Sequence, residues 1–425
     1  MPQTVTAPLH RRKAGQAVVL VLVGTLTVMA GATVAPAIPG IQRTFGDAAD
    51  VELMARMVTT THALAIVLFS PFSGFVVERV SARNGLMLGL LAFSIGGSSG
   101  FYLPTLPTIL IGRAVLGIGV SLVLTSGMTM IADLYEGVKR QRLLGWQTAA
   151  GAFGGAVLLL GGGALAALDW RVVFLVYLLG IAYIVPVLIY LPRPRRKAET
   201  SLTPGNTSES VERQTKKVPS TVAAALVAML LGQIAFYSVP VQVPFLVEND
   251  FGASSIVSGA VIAAQTFTTG MVSTRFAFFR RFAAESGLVA LSFLGIGVGY
   301  LVLFLAQNAL VLTAGLVIMG TGLGILIPNL NNWVMGEAAP RMRARYASLL
   351  TTSLFLGQFL APIVTQPVVE AIGVQHLFAV VATGALVVAV VYFIAGRPLG
   401  RTPSHRTRSA AFDRPEKCER AGPTG

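Results

Sequence analysis

Apolar residues occur in long runs separated by short polar breaks, and the lengths of those runs predict the architecture. A helix crossing a bilayer needs roughly 20 mostly apolar residues. Twelve runs reach that length, at about 16–38, 53–77, 84–103, 107–132, 143–167, 171–191, 220–246, 255–275, 286–306, 309–335, 346–369 and 374–396. The predicted fold class is an all-α membrane protein with twelve transmembrane helices. Spans 3 and 4 are divided only by the turn around Pro104 and Pro107. Residues 192–219 interrupt the pattern with a polar, charged, Pro/Ser/Thr-rich linker, and 397–425 form a basic tail of the same kind. The expected organisation is a cytoplasmic N-terminus (1–15), a six-helix half (16–191), the linker (192–219), a second six-helix half (220–396) and a cytoplasmic tail (397–425).

The two halves resemble each other. The segment from Arg113 aligns without gaps on the segment from Leu316, an offset of 203 residues. Gly117 falls on Gly320, Gly119 on Gly322, Arg140 on Arg343 and Arg142 on Arg345. Paired membrane halves in one chain imply alternating access around a midplane site. The same offset sets Gln265 opposite His62. Span 5 is rich in glycine, including Gly154, Gly155, Gly162 and Gly163, which lets helices approach closely.

Composition agrees: 54% of residues are hydrophobic and 12% charged, with mean hydropathy +0.72, against about 25% charged in soluble domains. The net charge of +14 reflects orientation and not nucleic-acid binding. With the N-terminus inside, nearly all Lys and Arg become cytoplasmic, leaving only Arg43, Arg56, Arg113 and Arg171 elsewhere. The basic start and apolar run read as an uncleaved first helix. The single cysteine, Cys418, lies in the tail, so no intrachain disulfide is expected. No phosphate loop, zinc motif or hydrolase triad order occurs, so no enzyme activity, cofactor or metal is expected. The expected partners are a small-molecule solute and the lipid bilayer, with protons as the candidate coupling ion, and the expected state is a monomer.

Four motifs stand out. Residues 74–83 between spans 2 and 3 read G-F-V-V-E-R-V-S-A-R, Arg113 is followed by Gly117 and Gly119, Pro36 and Pro39 end span 1, and Asp169-Trp170-Arg171 opens span 6. On these residues the chain resembles the major facilitator superfamily and, within it, the twelve-span drug:proton antiporter-like branch, over about residues 15–396. The resemblance implies two pseudo-symmetric six-helix halves. It also implies a cytoplasmic latch at Gly74, Glu78, Arg79 and Arg83, where Glu78 replaces the usual Asp, Ser81 the second Gly and Ala82 an Arg. The span 4 pattern, Arg113 with Gly117 and Gly119, is complete. In span 5, Leu158-Leu159 stand where the family has Gly-Pro.

No acidic residue lies deep in a span. His62 in span 2 is the best-placed titratable group, able to carry a proton or bind a solute. Arg113 is either a structural arginine satisfied by carbonyls or a site for anionic groups. Tyr237, Gln265, Asn329 and Gln358 are the favoured polar residues of the second half, as those furthest from helix ends or next to an expected helix break at Pro328. Asp50, Glu52 and Arg56 form an outer set, where Glu52 and Arg56 at i,i+4 read as a surface ion pair and the acids as alternative proton carriers. The expected function is secondary transport, in the direction of export by family resemblance, of a carboxylate-bearing or zwitterionic solute such as an amino-acid-like metabolite or an opine-type metallophore. A broad multidrug:proton antiporter is the alternative, and a non-transporting membrane sensor or scaffold the alternative of another class.

Overall fold

The computed structural model describes residues 6–46, 49–192, 219–339 and 342–395. The body of the linker, the tail from residue 396, Arg341 and Cys418 lie outside the described residues. Span 1 is Thr6–Ala32, a tight turn Ala35–Ala37 and Ile38–Phe45. Span 2 is Ala49–Met57 with Thr61–Val80, and span 3 Ala82–Gly97 with Ser99–Tyr102. Spans 4 and 5 are unbroken, Leu106–Leu134 and Gly137–Leu168. Span 6 is Val172–Leu178 with Leu179–Tyr190. Span 7 is Ser220–Phe245, ending in a wide turn Leu246–Asp250. Spans 8, 9 and 10 are Ser255–Thr274, Glu285–Phe304 and Ala309–Glu337. The helix Arg343–Ala395 is interrupted at Gly373 (φ 84°), which divides it into spans 11 and 12. Left-handed backbone is open to glycine at little cost, so the break sits where the sequence permits it.

The breaks follow from sequence. Proline lacks an N–H and fits best in the first turn of a helix. Pro36 and Pro39 each start a new helical piece, so span 1 bends and its first piece ends at Ala32. The last carbonyls of that piece, Ala30 among them, lose their helical donors.

The repeat is legible in atomic contacts. A Cβ added to Gly117 would strike the His62 carbonyl oxygen, and one added to Gly320 the Gln265 carbonyl oxygen. Gly119 packs on Gly89 O and Phe93 N, and Gly322 on Ser292 O and Ile296 N. Gly96 abuts Gly112 O and Leu116 N, and Gly299 abuts Gly315 O and Met319 N. Every pair obeys the 203-residue offset. The glycines therefore set how closely spans 2 and 3 pack on span 4, and spans 8 and 9 on span 10. Across the halves, spans 5 and 8 meet where Gly163 faces Gly259: a Cβ on Gly259 would lie 3.0 Å from Gly163 Cα. Two helices touching through glycine present a smooth surface there.

Candidate functional site

Arg113 is fully buried in span 4, about seven residues, roughly 10 Å, from that helix's start. Its Nε donates to Val58 O at 2.7 Å, in the break of span 2, and its Nη2 donates to Ala30 O, in the last turn before the break of span 1. Two helix C-termini, each with a partial negative charge, thus converge on one guanidinium. That accounts for a buried arginine with no carboxylate partner. The Tyr177 ring stacks 5.0 Å from its Cζ, and the Tyr177 hydroxyl donates to Ala30 O at 3.0 Å. Nη1 is enclosed and unpartnered. Tyr177 did not emerge from the sequence reading, because only the fold brings span 6 to the break in span 1.

His62 is buried beside this node, and its Nδ1 has no partner. It follows the break in span 2, one residue into the helix Thr61–Val80. Tyr237, from the other half, reaches the same place: a Cβ on Gly31 would meet the Tyr237 hydroxyl and, at 2.7 Å, His62 Cε1. Arg113, His62, Tyr177 and Tyr237 therefore form one cluster across the midline of the two halves, beside the bend of span 1.

The remaining residues of the second half lie apart in smaller groups. Gln265 is buried, with Nε2 3.6 Å from Met319 Sδ and Oε1 unpartnered. Gln358 Nε2 donates to Gln233 Oε1 at 3.2 Å, joining spans 11 and 7, and Gln358 Oε1 is unpartnered. Gln242 Nε2 extends this seam to Thr365 Oγ1 at 3.0 Å. The helix break expected at Pro328, beside Asn329, is corrected. Span 10 continues through Pro328 as helix, and Asn329 Nδ2 donates to Glu285 O at 2.8 Å. That carbonyl lies in the first turn of span 9, far along span 10 from the level of Arg113, so Asn329 ties two helices of its own half.

At the end of the bundle where spans 1 and 7 finish, here the far end, charges link the halves. Arg43 Nη2 lies 3.1 Å from Glu248 Oε2, with side-chain exposures of 64% and 7%. The Glu52–Arg56 pair (2.5 Å) is not the expected surface pair: Arg56 is only 2% exposed, against 25% for Glu52. The Arg56 guanidinium sits 4.2 Å over the Phe245 ring of span 7, and this ring from the opposite half removes it from water. Asp50 is exposed. A cavity of about 290 Å³ lies between the halves here, lined by Gly40, Arg43, Thr44, Trp170, Glu248 and Ser255 among others.

The opposite end carries Arg79, Lys139, Arg140, Arg280 and Arg281 and is here the basic end. Glu78 and Arg79 are exposed, with Arg79 4.0 Å over the Phe75 ring. Arg83 is buried and donates to Leu188 O at 2.8 Å, within its own half. A Cβ on Gly74 would meet open space. Ser81, between Arg79 and Arg83, has φ 79° and ψ 153°, and among the described residues it alone takes positive φ without being glycine. A Gly at this position in the family pattern has its physical reason in that backbone.

Residues 20–362 and, overlapping them, 280–417 match the Major Facilitator Superfamily. The Multidrug resistance protein B homolog of Mycobacterium tuberculosis is 24% identical over 377 residues, which cover 74% of this chain and 69% of that protein. The puromycin resistance protein pur8 of Streptomyces alboniger is 29% identical over 156 residues, 36% of this chain and 30% of that protein. Among solved structures, a bacterial homolog to the human lysosomal transporter Spinster superposes with a TM-score of 0.72 at 17% identity, covering 90% of this chain and 96% of that one. The xylose transporter XylE from E. coli superposes with a TM-score of 0.70 at 13% identity, covering 90% and 95%. The family match, the fold of those transporters and twelve apolar spans in two related halves converge: the chain is a multi-pass membrane protein that belongs to the Major Facilitator Superfamily, a family of transporters and not of enzymes.

Proposed function

We propose that this protein exports a small organic solute across the cytoplasmic membrane by alternating access, and that the solute bears a carboxylate or is a zwitterion. The observation that carries the solute's chemistry is the central cluster. Arg113 Nη1 and His62 Nδ1 are enclosed without partners, and neither is paired with a carboxylate among the described residues. Leaving buried polar groups unmade is costly, and an anionic group between them would relieve both. The free amide oxygens of Gln265 and Gln358 would accept from the donor end of an amino-acid-like metabolite or an opine-type metallophore. Tyr237 brings the second half to the same solute.

The basic end is cytoplasmic in this reading, because Lys and Arg accumulate inside. The halves are linked by charge at the far end, so the conformation is inward-facing. Gly74, Glu78, Arg79 and Arg83 then form a latch that engages the other half when the cytoplasmic end closes. Export is supported by relatives named for multidrug and puromycin resistance. Those names also support the second reading, a broad-specificity multidrug:proton antiporter.

The test is ligand-induced stabilisation of the purified protein across carboxylates, zwitterions and lipophilic cations, since a ligand that binds the folded state stabilises it. The proposal expects stabilisation by a carboxylate or zwitterion that is lost in His62→Ala and Tyr237→Phe. Stabilisation by lipophilic cations, unchanged in both variants, would replace it with the multidrug reading.

A further inference from the structure

Among the described residues, three carboxylates escape full exposure, Glu52, Glu248 and Glu285. Glu285 lies 3.8 Å from Arg280 at the basic end, whereas Glu52 and Glu248 are each held by an arginine at the far end. The two pairs differ in what they join. Glu52 and Arg56 lie one turn apart on the same helix. Glu248 and Arg43 lie on opposite halves, at the ends of spans 7 and 1. Breaking the second pair alone removes a charged link between the halves.

Glu248 is also built to receive something. Its side chain is more than nine-tenths buried. Oε2 is taken by Arg43, while Oε1 is enclosed without a partner. Glu248 lines the 290 Å³ cavity, ample room for water beside a polar group. It stands in the wide turn Leu246–Asp250, the kind of helical irregularity that often marks a functional position. The groups facing it are few. Arg43 and Thr44 come from span 1, Trp170 from the start of span 6 and Ser255 from span 8. Trp170 Nε1 is spent on Thr44 Oγ1 at 2.9 Å and Ser255 Oγ on Gly163 O at 3.3 Å. Arg171 stacks on the Trp170 ring, and Asp250 is exposed two residues on. One turn back, Phe245 carries Arg56, which in turn has Glu52 and Glu370 near it. No other carboxylate and no histidine lines the cavity.

We propose that Glu248 is a proton-binding site that gates the far end, releasing Arg43 when it is protonated. The proton comes from water in the cavity and binds Oε1. The carboxylate becomes a neutral acid, and Arg43 trades a charge-assisted bond for hydration that its exposed side chain reaches without rearrangement. The pair holds the far end closed while Glu248 is ionised, and acid favours opening. That the far end faces outward rests on the function proposed above; the gate itself does not.

The test uses the full chain in lipid nanodiscs with Cys418→Ser, and spin labels at Leu168→Cys and Leu310→Cys, exposed sites at the far ends of spans 5 and 10. Distances between labels are measured from pH 8.5 to 4.5. The wild-type background is expected to gain a longer distance on acidification. Glu248→Gln is expected to show that distance at every pH, with the open:closed ratio at pH 8.5 raised about tenfold, equivalent to roughly 1.4 kcal/mol. Arg43→Gln should do the same and covers a Glu248 variant that fails to fold. Glu52→Gln and His62→Gln should keep the wild-type titration. A Glu248→Gln or Arg43→Gln protein that still titrates, a titration abolished instead by Glu52→Gln or His62→Gln, or no pH-dependent distance at all would overturn the proposal. Absence of any stabilising solute would count against the proposed function and leave these distances unaffected.

Discussion

Ser81→Gly is expected to stabilise the protein, against the usual direction for glycine. Ser81 joins spans 2 and 3 with φ 79° and ψ 153°, a region essentially reserved for glycine, where another residue costs about 1–3 kcal/mol. Its carbonyl accepts from Gly85 N at 2.8 Å, so the turn is fixed in place. Its Oγ is enclosed without a partner, which costs about a further 1 kcal/mol. Against these stands roughly 0.5–1 kcal/mol of extra unfolded-chain entropy for glycine. The net expectation is about 1–3.5 kcal/mol of stabilisation. Ser81→Ala separates the contributions, since it removes the orphan hydroxyl and keeps the Cβ in the strained backbone. The order should be Ser81→Gly above Ser81→Ala above the parent, read from reversible unfolding in mixed micelles. Equal stability of the Gly and Ala variants would refute the strain argument. The position matters for function because Glu78, Arg79 and Arg83 flank this turn.

Three further outcomes follow from the packing. Gly117→Ala should destabilise more than Gly320→Ala: the new Cβ lies 2.7 Å from Ala65 Cβ in one case and 3.1 Å from Thr268 Cβ in the other, against an ordinary 3.5–4.0 Å. Each should cost about 1–3 kcal/mol, while Gly127→Ala, with nothing within 4 Å, should be neutral or stabilising; a thermal-melt series that ranks Gly127→Ala lowest would refute this. At the far end, Glu52→Ala should cost more than Arg56→Met, because the first strands a guanidinium 2% exposed and the second frees a carboxylate 25% exposed; the reverse order in the same assay would show that the buried arginine finds another partner. Arg113→Lys keeps the charge but cannot bond the Val58 and Ala30 carbonyls in the same fork geometry, so it should lower stability by about 1–3 kcal/mol; unchanged stability would mean these bonds contribute little.

What the sequence determined by itself is everything set by local period and length. Apolar runs long enough to cross a bilayer fixed twelve helices, since backbone polar groups in lipid must be satisfied within the helix. Pro36 and Pro39 fixed the break in span 1, and the 203-residue offset fixed which glycines play equivalent parts. The offset also held in contacts that no alignment contains, such as Gly117 on His62 O and Gly320 on Gln265 O. Relations between distant segments were decided only by tertiary structure. Arg113 read equally well as a structural or a ligand-binding residue, because nothing local says that two broken helices end beside it. Glu52 and Arg56 read as a surface pair because their spacing carries no trace of Phe245, which buries the arginine from the other half. Asn329 stood out because it adjoins Pro328, where the sequence suggested a helix break, yet the helix runs through and the packing of span 9 on span 10 gives it to Glu285 O. Arg43 and Glu248, 205 residues apart, had no pattern to connect them. Helix formation depends on neighbours in sequence, whereas a site between two halves depends on which faces those halves turn toward each other.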